Sequence, residues 1–279
     1  MKGEGRRAFA RPAPYLWLLA PAAAVFAAFW LLPMARLAVV GASGPQGIAA
    51  YAAVVTNANY AKSLFSTVAL SLGVTFATLV ISGIAGLFLS RNAFPGRSWL
   101  VAMLTFPLAF PGVVVGFMVI MLAGRQGLIG DFTEAVFNDR VVFAYSMAGL
   151  FIGYLYFSIP RVILTVMAAA EKLDPRLEEA ARSLGASPWQ VLRDVIVPAL
   201  KPALISAGAI CFATSMGAFG TAFTLATKIN VLPITIYTEF TNYANFSVAA
   251  ALSIVLGVIT WAALALARQF AGSTVAAAA

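Results

Sequence analysis

The sequence predicts an all-helical membrane protein with six transmembrane helices, and three observations predict it. The chain is 62% hydrophobic and only 10% charged, with a mean hydropathy of +0.92. That is far more apolar surface than a globule of 279 residues can bury. Charge-free apolar runs of about 20 residues or more, the length that crosses a hydrocarbon layer of roughly 30 Å, recur six times. The charges gather between these runs.

The first expected span covers Tyr15 to Val40. Lys2, Arg6, Arg7 and Arg11 precede an Ala-rich stretch around Pro21 to Ala28, as in a cleavable signal. The apolar run continues too far for a signal peptide, so a retained helix is expected. The second span is read at Ser63 to Leu89, the third at Trp99 to Ala123 and the fourth at Val141 to Ala170. The fifth is read at Pro202 to Thr227 and the sixth at Phe246 to Ala267. Residues 1–14 and 268–279 are left as tails, and 171–201 as an insertion within the membrane domain 15–267.

Lys and Arg remain on the cytoplasmic side of a membrane protein, which sets its orientation. With the N-terminus inside, twelve of the 18 fall there: Lys2, Arg6, Arg7, Arg11, Arg91, Arg97, Lys172, Arg176, Arg182, Arg193, Lys201 and Arg268. Arg36, Lys62, Arg125, Arg140 and Lys228 fall outside, and Arg161 lies within a span. Both termini are expected in the cytoplasm. The net charge of +8 is then topological bias and no sign of a nucleic-acid partner.

Several chemistries lack their residues. There is no histidine, the usual general base and commonest metal ligand. The single cysteine, Cys211, cannot form an internal disulfide and reads as a small buried hydrophobe. No Gly-Lys-Ser/Thr phosphate loop occurs. Neither a catalytic nor a metal site is expected.

The insertion, Glu171 to Lys201, carries ten charges and the signals of two short helices. Asp174 caps the first, Pro175 begins it, Glu178 and Glu179 sit near its positive end, Arg182 near its negative end, and Gly185 terminates it. Ser187 and Gln190 form a capping box around Pro188 for the second, and Pro198 is expected to stop it. Leu177, Ala180, Ala181 and Leu184 place small and apolar side chains at helical spacing. The segment reads either as an amphipathic connector or as a docking knob for a soluble partner.

Glu179-Ala180-Ala181, three residues, Gly185, nine residues, then Val195-Ile196-Val197-Pro198 resembles the EAA motif of permease subunits of ATP-binding-cassette importers. Val195 and Val197 differ from that family's Ile and Leu only in size. Phe94-Pro95-Gly96-Arg97, Pro107, Pro111-Gly112 and Leu232-Pro233-Ile234-Thr235-Ile236-Tyr237 resemble its polyamine, ferric-iron and aminoethylphosphonate branch. The resemblance implies the type I importer permease (MetI-like) fold. It also implies two separate ATPase subunits holding ATP and Mg²⁺, a second permease commonly of a different chain, a periplasmic solute-binding protein and a bacterial inner membrane. No cofactor would be bound by this chain. Glu179, Ala180, Ala181 and Gly185 become the residues expected to couple to the ATPase.

Pro107, Pro111 and Pro160 interrupt spans, as happens near binding sites, while Gly112 with Gly116 and Gly149 with Gly153 have close-packing spacing. Thr214-Ser215-Met216-Gly217-Ala218-Phe219-Gly220-Thr221 reads either as a polar conduit gated by Phe219 or as hydroxyls bonded to their own helix. Arg161 either faces a polar interior or snorkels to the membrane surface. Ser215, Gly217, Phe219, Gly220, Thr221 and Arg161 are the candidate translocation residues. With no carboxylate clearly inside a span, an anion or zwitterion such as 2-aminoethylphosphonate is favoured over a polyamine or ferric ion. A channel or secondary transporter is the rival from another class, without an internal repeat to support it.

Overall fold

The computed structural model describes residues 18–45, 47–225 and 229–271, all of whose regular elements are helical. In order they are α1 (Ala20–Ala42), α2 (Ala49–Thr56), α3 (Ala58–Arg91) and α4 (Arg97–Thr105). Then come α5 (Gly112–Ala123), α6 (Leu128–Phe137), α7 (Met147–Ala170) and α8 (Pro175–Ser183). They are followed by α9 (Pro188–Met216), α10 (Phe219–Leu225), α11 (Leu232–Thr241) and α12 (Phe246–Ala271). Among the described residues six segments are long and apolar enough to cross a membrane: α1, α3, Gly112–Phe137, α7, α9 and α12.

The long helix α3 is the axis of the bundle. Its buried positions, Ser63, Thr67, Leu70, Ser71, Val74, Thr78, Ser82, Gly86 and Leu89, recur every three or four residues along one face. That face meets α7 and α9. Val74, Leu150, Tyr154, Val162 and Val166 lie in one buried cluster with Ala207 and Cys211. A Cβ on Gly86 would stand 2.9 Å from Val166, so this glycine sets the closest approach of α3 to α7. The other face of the bundle holds α12, along which α1 packs with its later half. The earlier half of α1 has no buried residue.

Several spans depart from expectation. The expected third span is divided into α4, a 3-10 turn at Phe106–Ala109 and α5, because Pro111 has no N–H to continue a helix. Its apolar run resumes in α6 after Gly124–Gly127. The fourth begins at Met147 and not Val141: the Phe143 and Ala144 amides bond the Ala123 carbonyl instead, and Ser146 caps α7. The expected fifth span starts earlier, at Pro188, and breaks at Gly217–Ala218 before α10; Thr227 lies outside the described residues, as does Tyr15 of the first. The sixth runs on to Ala271.

Pro198 does not stop its helix. A π-helical turn, Leu192–Ile196, precedes it and widens the backbone where the ring would collide, so α9 runs unbroken from the insertion into the membrane. The same device, Ala27–Leu31, precedes Pro33 in α1. Next to α6, Arg140 bonds Glu134 at 2.7 Å and Asp131 at 2.8 Å. The Glu134 hydrogen bond, with the charges of Glu134 and Asp131, raises the Arg140 pKa above its ordinary value.

The short α10 is held between α5 and α7 by absent side chains. Added Cβ atoms would lie 2.6 Å from Thr224 at Gly116, 2.8 Å from Thr221 at Gly153 and 3.1 Å from Thr221 at Gly112. The Thr221 hydroxyl, 1% exposed, donates to the Gly112 carbonyl at 2.9 Å. Gly149 lies against Ala144, before α7, instead of a neighbouring span. Replacing Gly153 with Leu is expected to displace α10 and lower the thermal midpoint of the purified protein. Thr221→Val is expected to cost about 1 kcal/mol through its lost hydrogen bond. Gly257→Ala, where nothing lies within 4 Å of the new Cβ, serves as the neutral control in the same melting measurement.

Candidate functional site

Two regions draw together the residues singled out by sequence, at different depths of the bundle. The first is α8 and the foot of α9. The Asp174 carboxylate accepts from the Arg176 amide at 3.0 Å, and Pro175 opens α8. At the other end Gly185 has φ +84°, the left-handed conformation that glycine adopts without strain. It donates to the Arg182 carbonyl at 2.9 Å while Ala186 donates to Ala181 at 3.1 Å, the paired bonds of a Schellman terminus. The capping box follows at once: Gln190 N–H donates to Ser187 at 3.3 Å, and Ser187 N–H donates to the Gln190 side chain at 2.7 Å.

This rigid turn sorts the expected coupling residues. Glu179, Ala180 and Gly185 face outward. Ala181 is half-buried and packs with Ala186 and Leu173 onto a cluster built on Ala170, Val191, Ile196 and Leu200. The expected apolar face is therefore split. Ala181 anchors α8, while Leu184 at 89% exposure, Trp189 at 66% and Leu177 at 57% project outward, uncovered by any of the described residues.

Sequence reasoning placed Glu178 in the first turn only for its charge and missed its packing. It is 7% exposed and forms an ion pair with Arg91, the last residue of α3; Arg182 stands 3.9 Å away. Arg97 reinforces this end, donating to the Leu89 carbonyl at 2.6 Å and standing 3.7 Å from Glu171. Nothing local in the sequence marks Glu178 over Glu179 as the buried one; only the helical angle at which α8 meets α3 decides it.

The second region is a cavity of about 280 Å³ within the bundle, at the breaks in the third and fifth spans. Pro107, Phe110, Gly112, Phe157, Arg161, Thr214, Ala218, Gly220 and Thr221 are among its lining residues. Arg161 stands on α7 roughly 14 Å along the helix from Ala170, and among the described residues it has no carboxylate partner. Among the described residues no Asp or Glu lines the cavity. Tyr154 donates to the Ala218 carbonyl at 2.5 Å and so satisfies a backbone oxygen freed by the break.

The cavity thus brings together Arg161, Gly220 and Thr221 but not the other expected pathway residues. Ser215 is fully buried inside the bundle, and Gly217 is exposed at the end of α9. Phe219 is not among the residues that line the cavity; it stacks on Phe223 and tilts against Tyr237, with ring centroids 5.2 and 5.4 Å away, and Phe223 and Tyr237 close the triangle at 5.2 Å. Among the described residues no group of three or more His, Cys, Asp or Glu could hold a metal.

Comparison with known proteins places this geometry. Residues 79–272 match the family model for the binding-protein-dependent transport system inner membrane component. The putative 2-aminoethylphosphonate transport system permease protein PhnU of Salmonella typhi is 28% identical, covering 94% of this chain and 92% of its own length. The sulfate transport system permease protein CysW of Synechocystis is 30% identical over 86% of this chain and 88% of its own. In structure, a chain of a bacterial alginate ABC transporter, solved with an alginate-bound periplasmic protein, superposes with a TM-score of 0.77 at 17% identity, covering 91% and 92% of the two chains. An all-helical bundle with six apolar segments among the described residues, an EAA turn whose Glu179, Ala180 and Gly185 face outward, and a family match over most of its length lead to one assignment: the chain belongs to the binding-protein-dependent inner-membrane components, the permease subunits of ABC importers.

Proposed function

We propose that this permease carries a small oxyanion or zwitterion, with 2-aminoethylphosphonate as the first choice, across a bacterial inner membrane under ATP drive. In this reading α8 lies in the cytoplasm, as do both termini. Its turn seats in two-subunit ATPase machinery that binds ATP and Mg²⁺ and does all the hydrolysis. A second permease, of a different chain, and a periplasmic solute-binding protein complete the importer. The observation that carries the reading is the outward surface of Glu179, Ala180 and Gly185, edged by Leu184 and Trp189 and left uncovered by the described residues. Small side chains allow close approach, and Glu179 offers acceptors to a basic partner.

Support for an anion comes from Arg161, which among the described residues has no carboxylate partner and stands beside a cavity that none of their carboxylates lines. A polyamine or ferric ion would meet repulsion there and nothing to offset it. PhnU is named for an aminophosphonate and CysW for sulfate, both tetrahedral oxyanions. Arginine suits such groups because its planar donors bind two oxygens at once.

Two substitutions test the reading. Nothing lies within 4 Å of a Cβ built at Gly185, and aspartate tolerates the left-handed region better than most residues at a cost of about 1–2 kcal/mol. Gly185→Asp is therefore expected to insert normally while reducing ATPase co-purification about tenfold or more, the effect of ~1.4 kcal/mol. Undiminished co-purification and transport would remove α8 from the docking site. Arg161→Gln is expected to slow uptake of 2-aminoethylphosphonate in reconstituted vesicles by about tenfold or more, with Arg161→Lys intermediate; equal rates for the three proteins would reject the anion site.

A further inference from the structure

Resting on the importer reading, we infer that α3 is the rod that transmits movement of α8 to the opposite end of the bundle, with Arg91–Glu178 as the clasp at one end and Thr67 as the clasp at the other. The helix has 34 residues, or about 51 Å. Each end makes polar contact with a short helix from elsewhere in the chain.

At the α8 end, Glu178 is buried although its neighbours Leu177 and Glu179 are exposed. A buried carboxylate needs a counter-charge, and Arg91 supplies it from the last turn of α3. Arg182 adds a more distant charge from an exposed position. When α8 shifts, separating Glu178 from Arg91 would strand a buried charge, so α3 must follow.

At the opposite end, the Thr67 hydroxyl accepts from the Leu232 amide at 2.7 Å, where α11 begins, and donates to the Ser63 carbonyl at 2.7 Å. Thr235 donates to the Ser63 hydroxyl at 3.0 Å, and Tyr60 donates to the buried Glu239 carboxylate at 2.8 Å. Three side chains of α3 therefore grip three positions of α11. The aromatic Tyr237, which closes against Phe219 and Phe223, stands on the gripped helix. Those phenylalanines belong to α10, which Thr221 ties to α5 and not to α3. Movement of α3 thus carries Tyr237 relative to Phe219 and opens or closes the aromatic triangle.

The test uses the assembled complex with its ATPase in lipid nanodiscs, with Cys211 replaced by Ala. Spin labels at Met121→Cys on α5 and Phe240→Cys on α11 report the separation across the triangle, and Mg-ATP with orthovanadate traps the ATPase. The parent complex is expected to change its label distance on trapping. Arg91→Glu and Glu178→Arg should each lose that change while still co-purifying with ATPase, and the double exchange R91E/E178R should regain it. A structural role alone would not give that rescue. Persistence of the change in both single variants, or assembly of the double variant without recovery, overturns the inference. If the clasp variants do not assemble, Thr67→Val decides, since Thr67 stands about 36 Å along the helix from Arg91. Loss of the change with ATPase retained supports the rod, and an unaltered change overturns it. Absence of any ATPase from the parent complex instead rejects the importer reading, and the rod with it.

Discussion

The bilayer offers backbone groups no water, so every interruption of a helix inside it needs a replacement hydrogen bond from the protein. In this bundle two of those interruptions are repaired at one small place. The breaks at Pro111 and at Gly217 face each other, and Thr221 and Tyr154 bond to the carbonyls of Gly112 and Ala218. Close packing makes those bonds possible: Gly112, Gly116 and Gly153 let α10 approach α5 and α7 where any side chain would intervene. The cavity exists because two spans break together, and the same contacts that repair the breaks form its wall.

Much of this was legible in the sequence. Apolar length alone located the spans to within several residues at most ends, since burying an uncharged run in lipid needs no knowledge of its neighbours. Caps are local chemistry, and Asp174, Ser187, Gln190 and Gly185 occupy the roles their side chains suggest. A proline is a less dependable local signal. Pro198 is accommodated by a wider turn, which depends on how the chain on both sides is held. Of the pathway residues, Arg161, Gly220 and Thr221 meet at the cavity, but the direction of Phe219 follows from the rotation of α10, which only tertiary contacts set. The Arg91–Glu178 pair joins residues far apart in sequence, and charge pattern gives no reason to match them.

The buried face of α3 is unusual for its hydroxyls. Ser63, Thr67, Ser71, Thr78 and Ser82 are all buried on a helix otherwise surrounded by apolar side chains. Small hydroxylated residues allow close helix contact at little steric cost, and their polar atoms can bond their own helix or another. Ser82 reaches the Ile159 carbonyl at 3.1 Å, beside Pro160, while Thr67 reaches α11. One helix thereby combines smooth packing along its middle with polar attachment near its ends, which suits an element that moves as a unit.

The π-helical turn at Leu192–Ile196 carries a consequence for orientation. The buried positions Val191, Ile196 and Leu200 are separated by five residues across the turn and by four beyond it. The wide turn absorbs an extra residue that would rotate an ordinary helix by about 100°, so the inward face of the foot stays in line with that of the membrane segment. Trp189 and the α8 turn owe their bearing to this widened turn. A chain that kept all five residues but wound them as an ordinary α-turn could keep its six crossings and its cavity wall intact, yet would present its protruding surface around the side of the bundle, out of alignment with anything waiting below.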